Sequence, residues 1–174
     1  MNKTALFTGL LYSLTAIVFK LVILLGGFTL TKFGFYYSNI ISVFLMIPFL
    51  FLAIYLVRKK EPGGNIRGRE AMRVAMTVVA VGAVMLSVYN YAAFNWKFKD
   101  IATEYYNSAE YTRILNETLV KNPGKMKASD IPVIVQEQIT SLSAGRDTTA
   151  KLFPMLIIGL TGSFFASLLM KKNA

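Results

Sequence analysis

The sequence contains no cysteine and no histidine. Disulfides are thereby excluded, together with every metal site or nucleophilic scheme that depends on thiolate or imidazole. Acidic residues are scarce too, nine Asp and Glu against nineteen Lys and Arg in 174 residues. Charged residues make up 16% of the chain and apolar residues 55%. A soluble domain has about a quarter charged and about 45–50% apolar, so the balance is displaced toward membrane composition.

What the chain has instead is long uncharged runs. Residues 5–26 are interrupted only by Lys20, and residues 38–57, 74–94 and 152–170 carry no charge. A hydrocarbon core of about 30 Å needs about 20 helical residues at ~1.5 Å each. Over such a length in lipid only a helix satisfies its own backbone. No run shows a charged face at the helical period, which excludes surface helices of a soluble bundle. The first run, preceded by Lys3, resembles a signal peptide. No small-x-small cleavage site follows it and Lys20 breaks it, so it reads as a retained helix. The expected fold is all-α and polytopic: one membrane domain over residues 1–174 with four transmembrane helices. Between helices 3 and 4, residues 96–151 form a periplasmic helical hairpin.

Orientation follows from the basic residues. The second loop carries Arg58, Lys59, Lys60, Arg67, Arg69 and Arg73 against Glu61 and Glu70, and the termini add Lys3, Lys171 and Lys172. The first turn holds only Lys32, while residues 96–151 balance eight basic with seven acidic side chains. Both termini and the second loop are therefore expected in the cytoplasm. An aromatic belt is expected at the opposite interface from Phe35, Tyr36, Tyr37, Tyr89, Tyr91 and Trp96. Retention of the loop accounts for its charge. The six basic residues are also candidate contacts for anionic lipid head groups, each worth about 1 kcal/mol near the surface. No nucleic-acid motif accompanies them, and nucleic acid is not an expected partner.

Residues 96–151 split at the turn signal Asn122-Pro123-Gly124-Lys125. Before it, Phe98, Ile101, Tyr105, Ala109, Thr112, Leu115 and Leu119 recur at helical spacing. After it, Ile131, Ile134, Val135, Gln138, Ile139 and Leu142 do the same, with Pro132 in the first turn. Two amphipathic helices of this size hold no independent core, so they pack on each other, on the bundle or on a partner. Asp147-Thr148-Thr149 resembles a short O-glycosylation acceptor, but its closeness to the membrane argues against modification.

Small residues form stripes within the spans: Gly9, Ser13 and Ala16 leading to Lys20; Ala80, Ala83 and Ser87 leading to Asn90; and Gly159, Gly162 and Ala166 beside Ser163. Such faces let helix backbones approach closely in lipid. Pro48 removes a backbone hydrogen bond and kinks the second span. Lys20 is the single charge inside a span, and such residues are functional candidates. Its stem could snorkel to the interface, but its place on the stripe predicts that it points into the bundle and approaches Asn90, with Tyr37 or Asn39 nearby.

The spans contain no Asp or Glu, so a carboxylate ion-coupling site is absent, and no inverted repeat of the transporter kind occurs. Gly63-Gly64-Asn65-Ile66-Arg67-Gly68 follows a membrane helix and lacks the Gly-Lys-Ser/Thr ending of a phosphate loop. Glu104, Glu110 and Glu117 lie along one solvated helix face. No catalytic, metal-binding or cofactor-binding residue is assigned, and no enzyme is expected.

The layout of four spans resembles the domain of unknown function 4199 family of Bacteroidota inner-membrane proteins. The likeness rests on the loop from Glu61 through Pro-Gly-Gly-Asn to Ile66, running into Arg69-Glu70-Ala71. It rests also on the helical insertion, whose second helix starts at Lys127-Ala-Ser-Asp130. The resemblance implies an inner-membrane location, no established activity, and a genomic neighbourhood of glycosyltransferases using lipid-linked sugars. The functional expectation is a non-catalytic accessory or scaffold subunit of a larger membrane complex, with lipids and other membrane proteins as partners. The alternative is a small transporter or lipid-handling protein that uses Lys20 as an anion contact.

Overall fold

A computed structural model describes residues 2–121 and 127–170, and among these the chain is helical without strands. In order come α1 (Lys3–Leu25), α2 (Ser38–Phe44), α3 (Met46–Arg58), α4 (Gly68–Ala93), α5 (Lys99–Tyr106), α6 (Ala109–Lys121), α7 (Ile131–Thr140) and α8 (Ala144–Met170). Four continuous helical stretches are long and apolar enough to cross a membrane: α1, α2 with α3, α4 running on into α5, and α8. The turn signal at residues 122–125 and the basic tail residues Lys171 and Lys172 lie outside the described residues.

Local chemistry sets the ends. The side-chain oxygen of Asn2 accepts the Thr4 N–H at 2.9 Å and caps α1. Gly27, just past the other end, takes the left-handed φ of 74° that glycine tolerates best. The second span breaks at Leu45, because Pro48 has no N–H to offer the Phe44 carbonyl one turn back.

The spans are turned inside out relative to a soluble bundle. Thr8, Ser13, Ala16, Ser42, Gly82, Gly159 and Ser163 are buried between helices, while Phe7, Val84, Val88, Phe153 and Leu169 face outward. Small groups inside and large apolar groups outside are what helices need when hydrocarbon is the solvent. This is an integral membrane protein. Within the bundle, α4 packs on α1, α3 and α8. The stripe expected on the third span is displaced. Ala80 is exposed, and the packed face runs through Val78, Gly82, Leu86 and Asn90. Gly82 forms the closest approach there, with Tyr12 and Met155 against it.

The insertion also departs from expectation. Helix 3 of the bundle continues through a π-helical turn into α5, and α8 begins at Ala144, about two turns before the uncharged run. The first amphipathic segment breaks at Asn107 and Ser108. The side chain of Ser108 starts α6 by accepting the Tyr111 N–H at 3.2 Å. α6 and α7 each pack on α5 more than on one another, so they do not make a self-paired hairpin.

Candidate functional site

Where the insertion meets the bundle, a chamber of about 40 Å³ is lined by Lys20, Asn39, Asn90 and Lys151. A smaller void of about 20 Å³ shares those four side chains and runs on toward Ser42 and Met155. Four elements build the walls: α1 brings Lys20, α2 Asn39, α4 Asn90 and α8 Lys151.

Two π-helical turns, Phe33–Tyr37 and Phe94–Phe98, flank the chamber. Each inserts an extra residue into a helical turn and so re-aims the side chains beyond it, a feature frequent at functional sites. The first depends on Gly34, where a Cβ would run into the Phe28 carbonyl, so the preceding turn lies directly on the backbone. Ser38 donates to the Gly34 carbonyl and Ser42 to the Ser38 carbonyl at 2.7 Å, which quiets both hydroxyls. The Asn39 amide nitrogen donates to the Phe35 carbonyl at 3.3 Å, turning Oδ1 toward Lys20, whose Nζ lies 2.5 Å away.

On the opposite wall Lys151 Nζ sits 2.6 Å from Asp147 Oδ2 and 4.1 Å from the centroid of the Phe98 ring. Both side chains of this pair are only 16% exposed. An ion pair and a ring face together hold the ammonium where water is restricted. Phe98 belongs to an aromatic stack. Phe35 lies 4.1 Å from Tyr105 and 5.8 Å from Phe98, nearly parallel to both. Tyr106 and Tyr111 extend the cluster edge-on. Tyr111 lies outside the spans, and burial raises its phenol above the ordinary range, so it stays neutral near pH 7. Two lysines thus line the chamber, and the nearby carboxylate of Asp147 is paired with one of them, Lys151.

Residues 3–172 match the family described as Protein of unknown function (DUF4199). The chain belongs to that family. No curated protein and no solved structure matches it.

In this DUF4199 protein the two intramembrane candidates, Lys20 and Asn90, do line one chamber. They share no hydrogen bond, however: the partner of Lys20 is Asn39, while Tyr37 is 46% exposed on the surface. The expected aromatic belt is only partly a belt. Tyr36, Tyr91 and Trp96 are exposed, whereas Phe35 is drawn into the stack and Tyr89 into the chamber wall.

Lys151 and Asp147 were missed, because the charges before residue 152 read as the end of a loop. A signal for them was present: Lys151, Met155, Gly159 and Ser163 recur every four residues, which places the lysine on the buried stripe of α8. The Thr148 hydroxyl of the acceptor-like tripeptide is buried within the same helix.

The six basic loop residues lie at the other end of the bundle. Arg58 Nε donates to the Gly64 carbonyl at 2.6 Å, holding a turn in which Gly63 and Gly64 both take positive φ. Lys60 Nζ donates to Thr4 at 2.8 Å, which ties this loop to the start of α1. Lys59, Arg67, Arg69 and Arg73 are exposed.

Proposed function

We propose that this membrane protein is a non-catalytic accessory or scaffold subunit of a larger membrane assembly, with the insertion as its platform. The observation that carries this reading is the clamp at the base of the insertion. Phe35 of the bundle is stacked with Tyr105 and Phe98, and Lys151, paired with Asp147, lies over the Phe98 ring. A clamp of this kind holds α6 and α7 at a set height and angle, which reduces the ordering a partner must impose. Both helices keep apolar side chains outward beyond the clamp, with Val120 76% and Val133 57% exposed. The Ser38 and Ser42 hydroxyls at the chamber donate to backbone carbonyls and Lys151 is held by Asp147, so the geometry favours holding over chemistry.

The orientation belongs to the same proposal: the bacterial inner membrane, with both termini and the basic loop in the cytoplasm and the insertion in the periplasm. Arg58, Lys59, Lys60, Arg67, Arg69 and Arg73 would then face the anionic lipids of the inner leaflet. A photo-crosslinker at Val120 in native membranes, with one at lipid-facing Val84 as control, tests the platform. A discrete protein adduct at Val120 that disappears when Phe35→Ala loosens the clamp supports the reading. Only lipid adducts at both positions, with the protein purifying alone and monodisperse, overturn it.

A further inference from the structure

The chamber is not electrically finished. Lys20 and Lys151 both line it, and the carboxylate of Asp147, outside the lining, pairs with Lys151 alone, so protonated Lys20 has no countercharge there. Withdrawing an unmatched charge from water is costly, so a buried ammonium either gives up its proton or is held charged by a partner anion. Asp147 is engaged by Lys151. Among the described residues no carboxylate lines either void.

The hydrogen-bond inventory points the same way. An ammonium has three donors, yet among the described residues the only acceptor bonded to Lys20 is Asn39 Oδ1. Asn90 is only 7% exposed, and its side chain makes no hydrogen bond among the described residues. Unpaired N–H groups of Lys20 and the whole amide of Asn90 therefore face the same small space. A single water needs about 10–15 Å³, so a chamber of about 40 Å³ has room for a group larger than one water. Water would satisfy the donors but supply no countercharge.

We propose that this chamber binds one phosphate-type oxyanion, held by the ammonium groups of Lys20 and Lys151 and by the Asn90 amide. Such charge-assisted bonds from lysine to phosphate are among the stronger polar contacts available. The depth suits either of two sources. Lys20 lies five residues before the end of α1 at Leu25, about 8 Å along the axis at ~1.5 Å per residue. A free phosphate would enter from the aqueous side, and a lipid phosphate would be drawn inward by that distance from the interface. Nothing in this argument uses a protein partner, so it stands apart from the platform reading.

The test uses the full chain in nanodiscs, with melting followed by far-UV circular dichroism. In discs of zwitterionic phosphatidylcholine, sodium phosphate is titrated against sodium chloride at matched ionic strength. In a second arm, phosphatidylglycerol replaces part of the phosphatidylcholine. A saturable rise in melting temperature with phosphate but not chloride identifies a free anion; a rise only with phosphatidylglycerol identifies a lipid head group. Either effect should weaken roughly tenfold or vanish in Lys20→Met, and persist in Lys97→Gln, a change at an exposed residue of the adjoining π-helical turn. Asn90→Leu leaves the charges in place and removes only the amide, so it serves where Lys20→Met does not fold. The proposal is overturned if the unaltered chain gains no saturable stabilisation in either arm. It falls equally if the gain survives in the foldable chamber variants.

Discussion

Gly82 tests the bundle most directly. It lies on α4 at the seam with α1 and α8, where an added Cβ would stand 2.6 Å from Tyr12 Cε1 and 2.9 Å from Met155 Cε. Non-bonded carbons prefer about 3.5–4.0 Å, so both neighbours must move. The end of Met155 can swing aside. Tyr12 cannot do so cheaply, because its ring is fully buried and its hydroxyl donates to the Ser42 carbonyl at 3.1 Å. Gly82→Val adds two methyl groups beyond Cβ and should push the ring off that carbonyl. Overpacking a well-filled interior costs about 1–3 kcal/mol, and losing a buried hydrogen bond adds about 0.5–1.5 kcal/mol. A combined loss of about 2–4 kcal/mol is a large fraction of the about 5–15 kcal/mol that stabilises a typical folded protein. The assay is equilibrium unfolding in mixed micelles with rising sodium dodecyl sulfate, followed by far-UV circular dichroism. Gly82→Ala should fall between the valine variant and the unaltered chain. Should Gly82→Val unfold at the same detergent fraction as the unaltered chain, α1, α4 and α8 do not meet as described.

Three further outcomes are expected. Gly145→Ala, a position with nothing within 4 Å near the start of α8, should leave stability unchanged or raise it by about 0.5–1 kcal/mol through helix propensity; the same unfolding titration reads it. Asn39→Leu removes the one acceptor bonded to Lys20 and should cost about 1.5–3 kcal/mol in phosphate-free buffer, as hydrogen bonds to charged groups do, with added phosphate recovering part of the loss. Asp147→Asn leaves Lys151 without its carboxylate and increases the charge excess. It should melt lower than the unaltered chain without phosphate yet bind phosphate more tightly, an opposed pair of effects that calorimetric titration and melting together can check.

The membrane architecture was legible because it depends on quantities a sequence carries in full. An uncharged run such as residues 38–57 must be a helix in hydrocarbon whatever surrounds it, since nothing there but its own backbone can take its hydrogen bonds. The break near Pro48, the glycine turn at Gly63 and Gly64, and the inward course of Lys20 follow from local chemistry of the same kind. The limits of the helices were less legible. Once the third and fourth spans leave the apolar runs, tertiary contacts continue them. The stack of Phe35 with Tyr105 and Phe98 supports α5, and the Asp147–Lys151 pair supports the first turns of α8. Pairings between distant residues leave little trace in a single sequence.

By itself, then, the order of residues determined the solvent, the count of crossings and the small-residue faces of the first and fourth spans, because each depends on composition or on a local period; on the third span packing chose a face through Gly82 instead. Only the tertiary structure decided that Lys151 joins Lys20, although 131 positions separate them in the chain. It decided also that Asn39 is the hydrogen-bond partner of Lys20, and that two π-helical turns flank the space these side chains share. The reason is geometric. One extra residue in a turn rotates everything after it by about 100° about the helix axis at 3.6 residues per turn. The packing of other helices then selects the rotated register.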